Sequence, residues 1–563
     1  MPDGQVGSVL REMSVRGFKP RPQRGGTRSW VGELTCRQDK VRVEVSLSDW
    51  DFLAYPKIKV LSGFDVPTLT PHVDAAGGLC YFQSGSIVLN RYEPAAALAQ
   101  CLDRAAQVLE QIKFDPEYRK TEVQDEFVIH WLAGQSAEAM IVMVGTIKAD
   151  SRVTNYWQLR REGQFFAALL TDEDDEAAAM AGALRADPPK ETTCPCWLFE
   201  SGKFPPVPEQ MPRTVKELFT WLRSWDPSVY AGVQRVLESE PRYLNYGFAS
   251  FAVKSPAGWL GFQFDISPYY RKVARTSRDA ARAYRQYLHG KAGTGQLVRS
   301  SPMDISPGFV HSRNLTFSDL RDKKIKLVGC GAIGAYVALA LVRLGAGTGT
   351  GRLTLIDFDL FAPENLGRHV LGYPALFQPK AKALAEELRR QFPLSKIDFI
   401  SDRVQNVKGL FTADLVIEAT GDEPVSEMLN HRRITLKAPT PLLHVWILGN
   451  GEAVQALWTE GVKTACYRCL RVIGNYGELA YRFPVLKHET ERRYAGCQAF
   501  TPYAVAAPMH AASLVAEMLA DWLQHGTASP RLRTRASESA DVRKVKNQDV
   551  ERLASCPACG NAL

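Results

Sequence analysis

Residues 325–368 contain the pattern that most constrains this chain: a strand, a glycine-rich turn, a helix and a second strand. The apolar run IKLV leads into Gly329, Gly331 and Gly334, and an apolar helical stretch follows. A second strand-like run, RLTLID, ends at Asp357, 23 residues beyond Gly334. Such glycines allow a tight turn and a close approach of backbone to phosphate, and the helix N-terminus favours negative charge. The pattern therefore predicts a parallel α/β fold with a nucleotide at the glycine turn.

Composition narrows the class of protein. The 563 residues are 45% hydrophobic and 23% charged, which is typical of globular proteins and predicts about three or four domains. No apolar run approaches the roughly 20 residues that span a bilayer, and the N-terminus lacks a signal-peptide core, so we predict a cytoplasmic protein without membrane contact. The net charge of +8 is spread thinly, and nucleic acid is not expected as a partner. Eleven cysteines in such a chain indicate metal or thiol chemistry rather than disulfides.

Three domains are predicted. Residues 1–120 have strand-like runs followed by a helix, which is an α+β order, and residues 311–563 alternate strands and helices as α/β domains do. Residues 121–310 contain strand candidates and an acidic, alanine-rich stretch, but no recognisable chemistry. We interpret the segment 188–197 in this region, PPKETTCPCW, as a loop.

Several polar side chains follow the strands of the C-terminal region. A hydride-transferring dehydrogenase, which shares the glycine turn, does not need them. They are Asp359, Asn365, Arg368, Lys380 and Asp422. Because strand ends on one edge of a parallel sheet converge, these groups are expected to share a crevice. The two aspartates suit Mg²⁺, and the two cations suit a triphosphate that loses pyrophosphate. Taken singly, each cation also fits a solvated helix face.

The order of these motifs resembles the adenylating domain of the ThiF/MoeB and ubiquitin-activating family. The resemblance implies that Asp357 holds the ribose, that Asn365, Arg368 and Lys380 hold the phosphates, and that Asp359 and Asp422 hold Mg²⁺. Members of this family adenylate the C-terminal glycine carboxylate of a small protein. Their active units are usually dimers in which an arginine of one subunit can reach the other's ATP, and Arg313 lies where that arginine is expected.

Two CxxC pairs, Cys466 with Cys469 and Cys556 with Cys559, predict a structural zinc site. Four thiolates on two tight turns make a closed tetrahedral site, which leaves no open position for catalysis. The resembling family has such a zinc site near its C-terminal end. Unpaired thiols or a redox pair are the alternatives.

Two further cysteines are candidates for carrying an acyl group. Cys497 follows a glycine and precedes a helical stretch, where a thiol can be accessible and reactive, although a buried small side chain is the alternative. By its position between the CxxC pairs, the family resemblance implies that Cys497 forms a thioester.

Cys80 alone would be an ordinary core cysteine. However, residues 55–110 resemble a ubiquitin-conjugating domain in the order Tyr55-Pro56, Pro71-His72, Gly78-Leu79-Cys80 and Glu93-Pro94. The resemblance implies that Cys80 is the conjugating cysteine. The chain departs from that family's His-Pro-Asn motif, so the asparagine that polarises the thioester is missing, and His72 is our hypothesis for its replacement.

The combined architecture resembles the activating–conjugating fusions of CBASS antiphage systems. The resemblance implies ATP-dependent activation of the C-terminal glycine of a cGAS/DncV-like nucleotidyltransferase, transfer between the two cysteines, and ligation to target amines. It also implies ATP, Mg²⁺, structural Zn²⁺ and a homodimer. A sulfur-transfer adenylase that forms an acyl-adenylate or thiocarboxylate is the main alternative, and a non-catalytic nucleotide-sensing scaffold is another.

Overall fold

A computed structural model describes most of the chain in two compact units. The described residues are 3–22, 26–65, 69–74, 76–83, 85–133, 141–189, 194–239, 246–268, 271–272, 279, 289–461, 463–473, 479–495 and 498–560. The first unit comprises Met1–Val142, Lys148–Tyr156 and Thr192–Met303, and the second comprises Met143–Ile147, Trp157–Glu191 and Asp304–Leu563. The three-domain division stays a prediction.

The N-terminal part of the first unit is an antiparallel sheet with helices. Five strands pair in chain order: Lys19–Pro20, Arg28–Cys36, Asp39–Leu47, Lys57–Ser62 and Gly78–Leu79. The helices are Asp3–Val15, Pro94–Phe114, Pro116–Asp125 and Phe127–Leu132. This arrangement is α+β, and its likeness to a ubiquitin-conjugating domain stays a prediction.

Periodicity explains how this sheet and its long helix meet. Val41, Val43 and Val45 alternate with more exposed neighbours, so one face of their strand is buried. Leu98, Leu102 and other buried side chains of the helix Pro94–Phe114 recur with helical spacing and belong to the same core cluster. The segment 71–80, which we call the Cys80 loop, contains the last, short strand of this sheet.

The rest of the first unit is a second sheet covered by helices. Strand Cys194–Glu200 pairs with Val153–Tyr156 and with Phe248–Ser255, which pairs in turn with Gly258–Asp265 and then Leu297–Ser300. Helices Val215–Trp225 and Pro227–Ser239 belong to the same unit. Our interpretation of 188–197 as a loop is wrong where the strand begins, because Cys194 and Cys196 are buried in the sheet. Pro195 is tolerated because it is only the second residue of the strand.

The second unit contains a seven-stranded sheet. Its order is Ile397–Ile400, Arg352–Ile356, Lys324–Val328, Leu415–Glu418, Leu442–Leu448, Ala453–Thr459 and Leu532–Ala536. The first five strands are parallel, and the last two are antiparallel to their neighbours. The predicted α/β fold of the C-terminal region is confirmed. Strand Lys324–Val328 lies between two strands that follow it in sequence, so the chain reverses its direction of travel across the sheet there, which is where ligands bind in such folds.

Helices flank this sheet: Pro307–Ser312, Ala332–Arg343, Lys380–Gln391, Glu423–Thr435 and Ala506–His525. Short 3-10 turns include Pro363–Arg368, Tyr373–Ala375, Val404–Asn406, Leu410–Thr412 and Tyr467–Leu470, and two small hairpins pair Arg471–Ile473 with Leu479–Tyr481 and Arg493–Ala495 with Gln498–Phe500. The unit also includes strand Gln164–Thr171 and the acidic stretch, which forms the helix Asp174–Ala183. Across the described ranges, no helix is both long and apolar enough to cross a bilayer.

Candidate functional site

The glycine turn lies at the carboxyl end of strand Lys324–Val328, as predicted. Gly329 has a φ of +89°, and a Cβ there would lie 2.9 Å from the backbone nitrogen of Thr420. A Cβ on Gly334 would lie 1.8 Å from the carbonyl oxygen of Gly329, which no side chain tolerates. Gly331 differs, because a Cβ there would have no atom within 4 Å and its φ is −75°. Neither strain nor packing requires glycine at 331, and the open space leaves its backbone accessible to a ligand.

Asp357 ties this turn to the next strand. One carboxylate oxygen accepts the Cys330 backbone N–H at 2.6 Å, and the other accepts the Asp359 N–H at 2.8 Å. Burial raises the pKa of Asp357, while these two hydrogen bonds and nearby Lys380 oppose the increase. Asp357 therefore fixes the turn, and its predicted contact with a ribose stays a prediction.

Lys380 and Asp359 form an ion pair beside the turn. The Nζ of Lys380 lies 3.0 Å from Asp359 Oδ2, and its backbone N–H donates to the Asp359 carbonyl at 2.9 Å. The Lys380 side chain is 10% exposed, and that of Asp359 is 49% exposed. The pair brings two predicted site residues together and leaves an accessible carboxylate beside a fixed positive charge, a donor set that suits Mg²⁺ and phosphate.

Asn365 and Arg368 lie in the 3-10 turn Pro363–Arg368. The Asn365 side chain accepts the Ala362 N–H at 3.0 Å and so shapes this turn. The Arg368 guanidinium lies over the ring of Tyr503, 4.8 Å from its centroid. This stacking joins the turn to the chain that follows Cys497.

Asp422 directly precedes helix Glu423–Thr435, after the end of the neighbouring parallel strand, and its side chain makes no capping hydrogen bond to the described residues of that helix. It is exposed, and its backbone N–H donates to the hydroxyl of Thr420. Because Thr420 also borders Gly329, the two strand ends meet as the topology predicts. The roles assigned to these residues from the sequence stay predictions.

A cavity of about 550 Å³ opens from this edge of the sheet. The glycine turn borders it through Gly331, and the turn after the next strand borders it through Thr420. Aromatic rings form much of its wall: Trp446, Tyr467, Tyr481, Phe483 and Tyr503. Polar side chains, among them Gln455 and Arg492, line it as well, and a cavity with aromatic and polar walls that ends at the glycine turn suits an extended peptide tail.

Sequence reasoning missed His369. Its Nε2–H donates to the Cys330 carbonyl at 2.8 Å, and its Nδ1 accepts the Leu371 N–H at 3.0 Å. Burial lowers the pKa of His369 to about 4, so the ring stays neutral and braces the glycine turn. The sequence showed only that His369 follows Arg368. The contact with Cys330 spans 39 residues, and motif spacing does not predict it.

The four CxxC cysteines meet in one buried cluster. Their Sγ atoms lie 3.9 Å apart for Cys466 and Cys469, 3.7 Å for Cys466 and Cys556, and 3.6 Å for Cys469 and Cys559. A tetrahedral zinc with Zn–S bonds of about 2.3 Å requires sulfurs about 3.8 Å apart. A disulfide requires about 2.05 Å, so the geometry fits zinc and excludes a Cys466–Cys469 disulfide, and all four cysteines are free thiols in the structure. Hydrogen bonding to Cys469, burial and the other sulfurs raise the pKa of Cys466, because thiolates this close repel without a cation.

In the first unit, Cys80 is exposed at the end of the Cys80 loop. Its N–H donates to the His72 carbonyl at 2.7 Å. The His72 ring lies between two carboxylates, with Nε2 3.0 Å from Glu122 and Nδ1 2.9 Å from Glu126. Both ring nitrogens are therefore engaged, which does not favour our hypothesis that His72 polarises a thioester.

Charge around Cys80 sets its reactivity. Partial burial and then the Glu126 carboxylate raise the pKa of Cys80. Hydrogen bonding to Glu126 raises the pKa of His72, so the imidazole favours its charged form. His72 has a φ of +60°, a conformation uncommon outside glycine, and strain of this kind often marks a functional loop.

Cys497 lies outside the described residues, but the chain on either side of it is anchored. Asn450 donates through Nδ2 to the carbonyls of Glu491 at 3.0 Å and Pro502 at 2.9 Å, and it accepts the Glu491 N–H at 2.8 Å. One side chain thus fastens both ends of the segment 491–502. Arg313, the proposed partner arginine, lies over Phe309 at the end of the helix Pro307–Ser312.

The C-terminal part of the chain is similar in sequence to known adenylating enzymes. The ThiF family model matches residues 310–558, which identifies the second unit's sheet as part of a ThiF-type adenylation domain. The molybdopterin-synthase adenylyltransferase of Salmonella typhimurium is 31% identical over 160 residues, covering 27% of this chain and 59% of that one. A crystal structure of E. coli MccB with ATP aligns with 43% of this chain and 68% of that chain, at 18% identity and a TM-score of 0.33.

One relative matches from end to end. The "ATP-dependent ubiquitin transferase-like protein Cap2" of Pseudomonas aeruginosa (strain BWHPSA011 / Pa011) is 31% identical over 575 residues, which is 99% of each chain. This match confirms the family recognised from the sequence. The chain therefore belongs to the Cap2 family of ATP-dependent ubiquitin transferase-like proteins.

Proposed function

We propose that this protein uses ATP to activate the C-terminal glycine of a partner protein, a cGAS/DncV-like nucleotidyltransferase. The activated glycine then passes to Cys497, to Cys80 and finally to an amine of a target protein in antiviral defence. The observation that carries the proposal is the open glycine turn. Gly331 borders the aromatic cavity, and the Lys380–Asp359 ion pair lies at the same edge of the sheet. The printed name of the full-length relative, ATP-dependent and ubiquitin transferase-like, supports the same chemistry.

The first step joins the partner's tail to AMP. A carboxylate oxygen of the C-terminal glycine attacks the α-phosphorus of ATP, the bond to the bridging oxygen breaks, and pyrophosphate leaves. In this proposal Lys380 and Arg368 neutralise the charge on the leaving phosphates, and the position of Lys380 beside the glycine turn supports that role. Asp359 and Asp422 are the carboxylates that would hold Mg²⁺, which supplies further neutralisation of phosphate charge when bound.

The aromatic cavity supports a polypeptide substrate. A tail lying between Trp446 and Tyr503 would end at the glycine turn, where its carboxylate meets the nucleotide. Aromatic and polar walls favour contact with the side chains and backbone of an extended peptide, and the turn's backbone N–H groups favour its charged end.

The second step forms a thioester. The Cys497 thiolate attacks the carbonyl carbon of the acyl-adenylate, and AMP leaves with the electron pair of the broken C–O bond. The anchoring of residues 491 and 502 by Asn450, and the stacking of Tyr503 on Arg368, support a cysteine held beside the nucleotide site.

The last two steps exchange the acyl group. The Cys80 thiolate displaces Cys497 from the carbonyl carbon, and a deprotonated target amine then displaces Cys80 to form an amide. The exposure of Cys80 supports access for both partners. The four clustered cysteines would hold structural Zn²⁺, and we also propose a homodimer in the cytoplasm.

The test mixes the full chain with ATP, Mg²⁺ and a nucleotidyltransferase that ends in glycine. Intact-mass spectrometry should detect a covalent adduct that dithiothreitol releases. Cys497→Ser should leave ATP–pyrophosphate exchange intact and give a thiol-resistant ester, while Cys80→Ser should stop ligation but retain the Cys497 thioester.

Removal of the partner's terminal glycine is the matched control and should abolish the adduct. If the wild-type chain exchanges pyrophosphate but forms no thiol-sensitive adduct, the relay is wrong. Formation of a partner thiocarboxylate on addition of sulfide would favour the sulfur-transfer alternative, which the similarity to the molybdopterin-synthase adenylyltransferase makes worth testing.

A further inference from the structure

A buried carboxylate lies directly behind the turn that presents Asp422. Glu418, the last residue of strand Leu415–Glu418, is 1% exposed, and its register partner His444 in the neighbouring parallel strand is 0% exposed. A buried carboxylate in such a position destabilises the fold unless its oxygens accept hydrogen bonds. None of the proposed chemical steps uses Glu418, so a buried carboxylate at this position needs another explanation.

Each carboxylate oxygen of Glu418 accepts two hydrogen bonds. Oε1 accepts the backbone N–H of Thr420 at 2.8 Å and its hydroxyl at 2.5 Å. Oε2 accepts the Ser426 hydroxyl at 2.7 Å and the His444 Nδ1–H at 3.0 Å. Burial raises the pKa of Glu418, but these hydrogen bonds and His444 outweigh burial and leave the pKa below its ordinary value. The side chain is thus an anion with its acceptors satisfied.

The network runs outward to the nucleotide site. The Thr420 hydroxyl, which donates to Glu418, accepts the Asp422 N–H at 3.1 Å. Between them, Gly421 has a φ of +68°, so the turn needs both a glycine and an external tether to keep one conformation. Thr420 and Asp422 are exposed, whereas the tether is buried.

The network also has a rigid support on its inner side. The His444 ring packs on Tyr467 with centroids 4.7 Å apart, and Tyr467 lies between the clustered cysteines Cys466 and Cys469. Among the described residues, His444 Nε2 has no hydrogen-bond partner, so the hydrogen bond of the ring is the one that Nδ1 donates to Glu418. The cysteine cluster and the Asp422 turn are therefore joined by consecutive side-chain contacts.

We propose that Glu418 is a positioning residue that, through Thr420, holds the Gly421–Asp422 turn in the conformation that receives Mg²⁺-bound nucleotide. The inference rests on the proposed function, which assigns Asp422 to Mg²⁺. Glu418 itself touches neither nucleotide nor partner. Loss of the tether should weaken the Mg²⁺-dependent part of ATP binding, while contacts made by the glycine turn remain.

Calorimetric titration of the full chain with ATP, in Mg²⁺ and in EDTA, tests this inference. Thr420→Val keeps the shape of the side chain but removes the bridging hydroxyl, and Thr420→Ser keeps it. In Mg²⁺, the ATP affinity of Thr420→Val should be about tenfold lower than that of wild type. In EDTA, the two affinities should agree within about twofold. Thr420→Ser should recover the gain, and Glu418→Gln should behave like Thr420→Val.

Glu427→Gln is the matched control, because Glu427 lies in the adjoining helix and pairs with Arg468 outside the network. It should leave both affinities unchanged. An equal loss in Mg²⁺ and EDTA, or no loss, in Thr420→Val would overturn the inference, and this variant decides the matter if Glu418→Gln fails to fold. If wild-type ATP binding gains nothing from Mg²⁺, the Mg²⁺ assignment of the proposed function fails as well; if wild type gains and Thr420→Val keeps the gain, only the positioning role fails.

Discussion

The glycine turn and the Cys80 loop are built in contrasting ways. In the glycine turn, Asp357, Lys380 and His369 each make at least two polar contacts, and most of their side-chain surface is buried. Cys80 is exposed, with a backbone N–H bond to the His72 carbonyl and a long thiol contact of 3.6 Å to the Phe82 carbonyl. The difference teaches that phosphate chemistry needs a prearranged charge pattern, whereas a thiol that receives and passes on an acyl group needs access.

The largest effect is expected where the prearranged site has no free space. Gly334→Ala places a Cβ 1.8 Å from the Gly329 carbonyl, so the turn must move. We expect ATP binding to be lost and the free energy of unfolding to fall by about 3 kcal/mol, as overpacking of a rigid site does. Calorimetry with ATP and thermal denaturation measure both.

Gly331→Ala sharpens the same comparison. Its Cβ meets no protein atom, so the melting temperature should stay within about 2 °C of wild type while ATP affinity falls about tenfold or more. Equal stability losses in both glycine variants would contradict the view that Gly331 is open for the ligand.

Metal removal is the next largest effect. Four sulfurs within 4.8 Å of one another repel as thiolates, so chelation should destabilise the second unit. A structural zinc contributes several kcal/mol, which predicts a fall in melting temperature of about 10 °C or more. Inductively coupled plasma mass spectrometry should find one zinc per chain.

Cys556→Ser should lose the zinc, and Cys80→Ser, outside the cluster, should keep both the zinc and the melting temperature. A chain that carries no zinc when purified from zinc-supplied cells would refute the assignment.

These sites also show what a sequence can predict. The glycine turn was predictable because Gly334 packs on Gly329, which is only five residues away. Asp359 and Asp422 are distant in sequence, but each closely follows a parallel strand, and parallel strands end at one edge of the sheet. The CxxC pairs were equally local. The Glu418–His444 pair was not, because it depends on the register of two strands 26 residues apart.

The same limit applies to the first unit. The contact between His72 and Glu126 spans 54 residues and depends on where the helix Phe127–Leu132 begins, which motif spacing does not reveal. Strand Cys194–Glu200 was missed because proline and nearby polar residues are typical of loops, whereas its burial comes from neighbours on both sides in the sheet.

A smaller effect separates adenylation from thioester formation. Asn450→Ala removes three hydrogen bonds that hold residues 491 and 502, on either side of Cys497. The three bonds contribute about 1 kcal/mol each, and loss of about half of that total in thioester formation should slow this step about tenfold and leave pyrophosphate exchange within about twofold. Asn406→Ala, which removes only a local bond to Asp402, is the control and should change neither rate. A parallel fall in both rates would show that the segment also shapes the nucleotide site.

The smallest effect tests whether the Cys80 loop tunes its thiol at all. Glu126 raises the pKa of Cys80 after burial does, so Glu126→Gln should lower that pKa while burial keeps it above its ordinary value. A higher pKa means less thiolate at a given pH, so alkylation of Cys80 by iodoacetamide should rise with pH, and the profile of Glu126→Gln should lie at lower pH than that of wild type. Peptide mass spectrometry follows Cys80 alone.

Glu122→Gln is the matched control for this measurement. Glu122 also contacts His72 but is not among the charges that act on Cys80, so its removal should leave the profile in place. Both variants remove one carboxylate from the ring of His72, and any effect transmitted through that ring should therefore appear in both. A shift of equal size in the two variants would mean that His72 controls the thiol, and the Cys80 loop would then be as closely arranged as the glycine turn.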